Sequence, residues 1–273
     1  MRQPTDLCHL CLTNESDKTN SHILSKFIST NFMDGIGTQR RGYQLDTETV
    51  LNNKSKIVQD SVKENYILCA DCETYLGLIE NIASRTFLNL EKQITERKVL
   101  KDTVKDFLDL LYCINSNPII IRLFVYSLFW RVSISNDSLF EDYKLKDSFE
   151  DDVRKSLFQY KASTNDELIG LTNSDHSIQI FPFTVMTAKS FQDPTSNVLF
   201  APYSYDPYCL IVDRFSFMFF RKLDDIKVNF IREFSNTQIN DCRIMMVSQE
   251  LWQNLMVRKP VEKIIENAKR NRS

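Results

Sequence analysis

The sequence predicts an α+β fold in three successive parts: a cysteine-bearing N-terminal module, a helical middle, and a C-terminal mixed β-sheet with a closing helix. Three observations predict it. Two C-x-x-C pairs, Cys8-His9-Leu10-Cys11 and Cys69-Ala70-Asp71-Cys72, bracket the first quarter of the chain. Apolar residues then recur at helical spacing through about residue 160. From about residue 165 the pattern changes to short runs rich in Val, Ile, Phe and Tyr. We place the boundary between residues 1–100, the cysteine module with its following helix, and residues 101–273, an α+β domain.

Taken in order, Phe27-Ile28 and Asn31-Phe32-Met33 read as a short helix after Ser25, and Asp34-Gly35-Ile36-Gly37 as a turn. Gly42 to Leu45 reads as a strand, Leu51 to Ser55 as a loop, and Asn65 to Leu68 as a short strand leading into Cys69. Tyr75, Leu76, Ile79, Ile82, Ala83 and Phe87 then mark a helix that starts at the second cysteine pair, with Glu73 in its first turn. The charged run Glu91 to Lys101 is a solvated helix or a connection. Val104, Phe107, Leu108, Leu111 and Tyr112 form a stripe at helical spacing. Pro118 restarts the chain into a buried helix, Ile119 to Trp130, and Phe140 to Tyr160 is amphipathic. These helices are expected to pack on one another and on the helix after Cys72. Beyond them, Ser177 to Phe181, Asn197 to Phe200, Tyr208 to Val212, Phe215 to Phe220 and Ile244 to Val247 read as strands, with Val212-Asp213-Arg214-Phe215 as a hairpin turn. Val261 to Arg270 reads as the closing helix.

Composition narrows the function. Hydrophobic residues are 42% and charged residues 26% of 273, as in a chain that buries a core. Only 5 glycines are present, and neither G-x-x-x-x-G-K nor G-x-G-x-x-G occurs, which argues against phosphate-cradling loops of the P-loop or dinucleotide type. A net charge of -2 restricts any nucleic-acid contact to a local patch. Candidates for such a patch are Lys18, Lys26, Arg40, Arg41, Lys54 and Lys56, with Lys269, Arg270 and Arg272 at the far end. The segment Met1 to Asp6 is polar and lacks an apolar signal core, and the most apolar run, Pro118 to Trp130, is too short to span a bilayer. We therefore expect a cytoplasmic protein without membrane contact. In that compartment paired cysteines point to a metal rather than to disulfides.

Zinc requires four soft ligands in a tetrahedron, and thiolates at about 2.3 Å supply them. Cys8, Cys11, Cys69 and Cys72 are the expected ligands of a structural Zn²⁺. A cysteine knuckle paired with a second pair at a helix N-terminus is the treble-clef arrangement, and the free amides there favour thiolates. Cys69 follows Cys11 by 58 positions, so this ion closes a large loop. Cys113, Cys209 and Cys242 lie in apolar contexts and read as buried thiols.

This stretch resembles the HNH endonucleases, which carry C-x-x-C, then an acidic residue and His within D/E-H-I-x-P, then Asn-Leu-x-x-L-C-x-x-C-His. The matching residues are Cys8-x-x-Cys11, Ser21-His22-Ile23-Leu24-Ser25 and Asn65-Tyr66-Ile67-Leu68-Cys69-x-x-Cys72-Glu73. The stretch is also similar to a group of uncharacterised bacterial proteins with S-H-I-[IL]-x-K-F followed by L-C-x-D-C-E. The resemblance implies a metal-dependent nuclease, with DNA the favoured substrate and host defence its setting. It implies His22 as the general base that activates water, Asn65 as the residue orienting the loop that bears it, and Glu73 in place of the last His, a ligand of catalytic Mg²⁺ or Mn²⁺. Ser21 stands where the family has an acid, Ser25 where it has Pro, and Glu73 where it has His. Asp71, Asp60 and Glu80 are further carboxylates that could complete an ion's shell.

Each of these residues also has an ordinary reading. His22 can be a structural hydrogen-bonder, Glu73 can satisfy a helix N-terminus, and Asn65 is common in turns. His9 is expected exposed within the knuckle turn, and His176 in a loop. The Phe-rich strands read as core rather than as a base-stacking platform. The rival function is therefore a non-catalytic zinc module that binds nucleic acid or a partner protein. No nucleophile–base pair or carboxylate cluster stands out in residues 165–273.

Overall fold

A computed structural model of the chain describes residues 2–27, 42–45, 52, 56–58, 61–140, 143–189, 198–200, 207–212, 215–258, 262, 266 and 269. Its architecture is α+β. The N-terminal part opens with the Cys8–Cys11 knuckle, followed by a two-stranded antiparallel hairpin of β1 (Ser21–His22) and β4 (Lys63–Glu64). Between them β2 (Gly42–Leu45) and β3 (Lys56–Val58) pair antiparallel, and β2 is joined in parallel by β8 (Val198–Phe200). Helix α1 (Ala70–Phe87) starts at the second cysteine pair, and the short α2 (Leu90–Thr95) follows.

The expected helix over residues 104–112 is instead an antiparallel hairpin of β5 (Leu100–Lys105) and β6 (Leu108–Tyr112). The physical reason lies in β6. Its residues are buried on both faces, and Asp109 points inward to meet Lys101 at 3.0 Å and Lys189 at 3.2 Å. Burial alone would raise the Asp109 carboxyl. Hydrogen bonds from Lys101, Thr103 and Lys189 outweigh it and hold the group below its ordinary value.

Helix α3 (Pro118–Ile134) is the axis of the molecule. Asn117 caps it, its side chain accepting from the amides of Ile119 and Ile120, and Pro118 occupies the first turn, where its missing N–H costs nothing. Every residue from Ile119 to Ile134 is buried. Helix α1 and helix α4 (Asp147–Gln159) pack against it, as expected, and α5 (Asn165–Ser174) packs on α1.

The main sheet has six strands in the order β5-β6-β11-β7-β10-β9, from β7 (Phe183–Ala188), β9 (Tyr208–Val212), β10 (Phe215–Phe219) and β11 (Arg243–Val247). Within this sheet only the β11–β7 pair is parallel. One face presents Phe183, Val185, Leu210, Phe215, Phe217 and Phe219 to α1, α3 and α4. The other presents Met186, Cys209, Ile211, Met218 and Met245 to Ile231 and Phe234 of α6 (Asn229–Phe234) and Trp252 of α7 (Gln249–Trp252). Covered on both faces, these strands read as continuous apolar runs rather than as an alternation.

Phe219 lies 5.0 Å from Phe129 and 5.1 Å from Phe149 between ring centroids, and Phe87 meets Phe217 at 5.9 Å. The Phe-rich strands are core, as their composition predicts. The same buried cluster includes Cys8, Cys72 and Tyr75 at one end and Ile244 at the other, so the cysteine module and the sheet share one core.

Residues 177–181 depart from expectation. They run as an extended segment without a partner strand. The hydroxyl of Tyr126 donates to Gln179 O at 2.9 Å and accepts from Phe181 N at 2.7 Å, while Arg122 donates to Phe181 O at 2.9 Å. Side chains of α3 thus do what a neighbouring strand would do. Replacing Tyr126 with Phe leaves the buried Phe181 amide unpaired and is expected to cost about 1–3 kcal/mol, read as a shifted urea midpoint. Residues 65–68 are likewise a bend rather than a strand, with Tyr66 at φ 61. Strand β7 and helix α5 went unmarked in the sequence. The 31–37 segment, the turn at Asp213-Arg214 and most of the expected closing helix lie outside the described residues.

Candidate metal centre and histidine site

The four thiols of Cys8, Cys11, Cys69 and Cys72 all lie within 4.8 Å of one another, and all four residues are buried. Cys11 Sγ and Cys69 Sγ are 3.9 Å apart. An ion holding tetrahedral ligands at about 2.3 Å has ligand–ligand edges of roughly 3.8 Å, so this spacing suits a thiolate-bound metal. The backbone builds the cradle. Leu12 N donates to Cys8 O at 2.9 Å, closing the knuckle with Leu12 at φ 56. His9 N donates to Ile67 O at 3.0 Å, which ties the knuckle to the chain entering α1. Lys18 N reaches Leu68 O and Tyr66 N reaches Lys18 O. These long-range bonds explain why residues 65–68 bend: their backbone serves the knuckle, not a strand.

Hydrogen bonds favour thiolate character in part of the cluster. Asn14 Nδ2 donates to Cys69 Sγ at 3.7 Å, although burial still pushes the Cys69 thiol up. The Cys8 thiol is held at about 4, first by a hydrogen bond from Cys72, against burial, and then by nearby backbone amides. Cys72 moves upward because of its hydrogen bond to Cys8 and its burial. Helix α1 begins directly after Cys69, and its first-turn amides find partners, Ala70 N donating to Asp17 Oδ1 at 3.2 Å and Glu73 N to Cys69 O at 3.0 Å. His9, expected exposed, is half-buried in the knuckle, and burial lowers its imidazole's basicity, with Arg2 acting in the same sense.

His22 is half-buried on β1, opposite Lys63 of β4. Its Nδ1 lies 2.5 Å from Ser61 Oγ, and Ser61 is itself buried. The backbone around it is clamped twice. Asn65 Oδ1 accepts from Asn20 N at 2.8 Å, two residues ahead of His22. Buried Arg131 of α3 donates to His22 O at 2.9 Å and contacts Glu80 of α1 at 2.5 Å. The hairpin that carries His22 is thereby fastened to both α1 and α3.

The carboxylates divide differently from expectation. Glu80 is engaged by Arg131 and is committed to that ion pair. Asp71 is exposed, 3.9 Å from Lys161. Asp60 lies outside the described residues. Glu73 is half-buried, and its Oε2 has no hydrogen-bond partner among the described residues. Ser21 is buried, and the Oγ at this position is likewise without a partner there. Glu64, across the hairpin from Ser21, is occupied by Arg2 at 2.7 Å, by Ser135 and by the amides of Asn136 and Asp137. Among the described residues the four cysteines are the only group of three or more His, Cys, Asp or Glu able to hold an ion. Neither His22 nor Glu73 belongs to such a group there.

Of the basic candidates, Lys18 is half-buried and Lys26 exposed, whereas Arg40, Arg41, Lys54, Arg270 and Arg272 lie outside the described residues. His176 is exposed after α5, and Cys113 and Cys209 are buried thiols, with Cys242 half-buried. Ser61, Arg131 and Asn14 escaped the sequence reading because each acts on a residue 39 or more positions away. Compared with family models, curated proteins and solved structures, the chain matches none. No helix among the described residues is long and apolar enough to cross a membrane.

Proposed function

We propose that the N-terminal module is an HNH-like nuclease built on a structural zinc, with DNA as the favoured substrate and the cytoplasm as its compartment. One observation carries this reading: a histidine on the first strand of a hairpin set between a cysteine knuckle and a helix, its ring fixed by Ser61 and its backbone clamped by Asn65 and Arg131. A general base must be held where it can take a proton from water, and an imidazole near neutral pH does so readily. Attack of that water on a phosphodiester would break the bond to the leaving oxygen. Zinc would sit on Cys8, Cys11, Cys69 and Cys72, where it holds the frame. A catalytic Mg²⁺ or Mn²⁺ would draw on Glu73, whose buried Oε2 has no hydrogen-bond partner among the described residues. It would supply charge stabilisation at the phosphate.

The full chain is expected to nick plasmid DNA when Mg²⁺ or Mn²⁺ is supplied, and His22→Ala is expected to slow this by at least about 100-fold. Cleavage that persists unchanged in His22→Ala rejects the assignment. The rival reading is a non-catalytic zinc module that binds nucleic acid or a partner protein. It is favoured because, among the described residues, neither His22 nor Glu73 belongs to a group able to hold an ion. No cleavage under any divalent ion, together with DNA retention in a gel-shift assay, decides for it.

A further inference from the structure

Two cysteines outside the metal centre stand opposite each other in the main sheet. Strand β11 pairs with β6 so that Arg243 faces Tyr112 and Ile244 faces Leu111. Continued by one residue, this register sets Cys242 opposite Cys113, and Cys113 N donates to Cys242 O at 2.9 Å. Residues paired in this hydrogen-bonded way across an antiparallel ladder have Cα atoms about 5.5 Å apart and side chains on one face. Disulfides span Cα separations of about 4.4–6.8 Å, so the backbone already holds these two residues at bonding range. Cys113 is buried in the core that includes α3, and the half-buried Cys242 packs against the same cluster. The two thiols interact, and the hydrogen bond with Cys113, followed by burial, pushes the Cys242 thiol well above its ordinary value.

Arg122 supplies a buried positive charge beside the pair. Its guanidinium is fully buried and donates to the carbonyls of Phe181 and Gln238, while its Nε has no partner among the described residues. No carboxylate pairs with it there. A buried cation without a counter-charge favours a thiolate near it, and Arg122 acts on Cys242 in that sense. We propose that Cys113 and Cys242 form a reversible dithiol–disulfide site that is oxidised by hydrogen peroxide. Cys242, the less buried of the two, gives up its proton, and its sulfur attacks one peroxide oxygen. The O–O bond breaks, and the departing hydroxide takes the proton to become water, which leaves a sulfenic acid on Cys242. The Cys113 sulfur then attacks the Cys242 sulfur, the S–O bond breaks, and hydroxide leaves with the Cys113 proton as a second water. Two thiols lose two electrons, and one peroxide becomes two waters. Because Cys242 holds its proton tightly, the first step is slow, and the site answers sustained rather than brief exposure. In a reducing compartment a dithiol returns the pair to thiols, as befits a sensing rather than a structural bond. The inference is independent of the nuclease reading and concerns a different part of the chain.

The test treats the full chain with excess hydrogen peroxide under conditions where it keeps its cooperative thermal transition. Remaining thiols are then alkylated, and the digest is mapped by mass spectrometry. A peptide joining Cys113 to Cys242 is expected, lost on treatment with dithiothreitol. The oxidised chain is expected to melt several degrees higher than the reduced chain, because the bond ties the end of β6 to the start of β11. Cys242→Ser and Cys242→Ala are each expected to remove the cross-link and the rise in melting temperature. Two replacements of a half-buried residue guard against a folding defect in either one. The proposal is overturned if both thiols stay free in excess peroxide or if the bond forms only in urea. It is equally overturned if either cysteine pairs with a different partner or is converted to a sulfinic acid without the cross-link.

Discussion

Replacing Cys72 with serine is expected to abolish metal binding and to unfold the chain at ordinary temperatures. The native protein should contain about one equivalent of zinc by elemental analysis, the variant close to none, and the variant should lose its cooperative thermal transition. The size of the effect follows from position. Cys72 is fully buried in the first turn of α1, and the next turns place Tyr75, Leu76, Ile79, Ala83 and Phe87 in the shared core. Structural zinc contributes about 10–16 kcal/mol of apparent binding free energy in small zinc modules, which exceeds the total stability of most domains. An ion held there would also close a loop of 58 positions, which otherwise carries a large entropy in the unfolded chain. Retention of one equivalent of zinc and of the native melting temperature in Cys72→Ser would refute the four-thiolate centre.

That centre was legible because ligand chemistry is written locally, in two C-x-x-C pairs. So was helix α3, since Ile119 to Trp130 is apolar around most of its circumference, Arg122 and Ser127 apart, and an enclosed helix tolerates this. The 100–112 hairpin was not legible. Val104, Phe107, Leu108 and Leu111 fall at helical spacing, and what draws the segment into the sheet includes Asp109 meeting Lys189, 80 positions away in the sequence. Residues 177–181 misled in the opposite direction: they alternate like a strand, but their backbone is served by Tyr126 and Arg122. At the candidate site, the knuckle, His22 and Asn65 could be picked out by pattern. What holds His22 in place could not, because Ser61 and Arg131 meet it only through the tertiary fold.

Arg131 gives the second large effect. Its guanidinium is 4% exposed and holds Glu80 Oε1 at 2.5 Å, so Arg131→Met leaves a half-buried carboxylate on α1 without its counter-charge. Removing one member of such a pair costs about 3–5 kcal/mol, whereas replacing both by apolar residues of similar volume is often neutral. Arg131→Met is therefore expected to lower the urea midpoint sharply, and Arg131→Met with Glu80→Leu to recover most of the loss. The recovered variant then separates packing from chemistry. Arg131 also donates to the carbonyl of His22, and no apolar side chain replaces that bond. If His22 is a base whose placement matters, the double variant folds with near-native stability yet cleaves DNA more slowly, because misplacing a reacting group by about 1 Å can cost 100-fold. A double variant that regains both stability and full cleavage would assign Arg131 to packing alone.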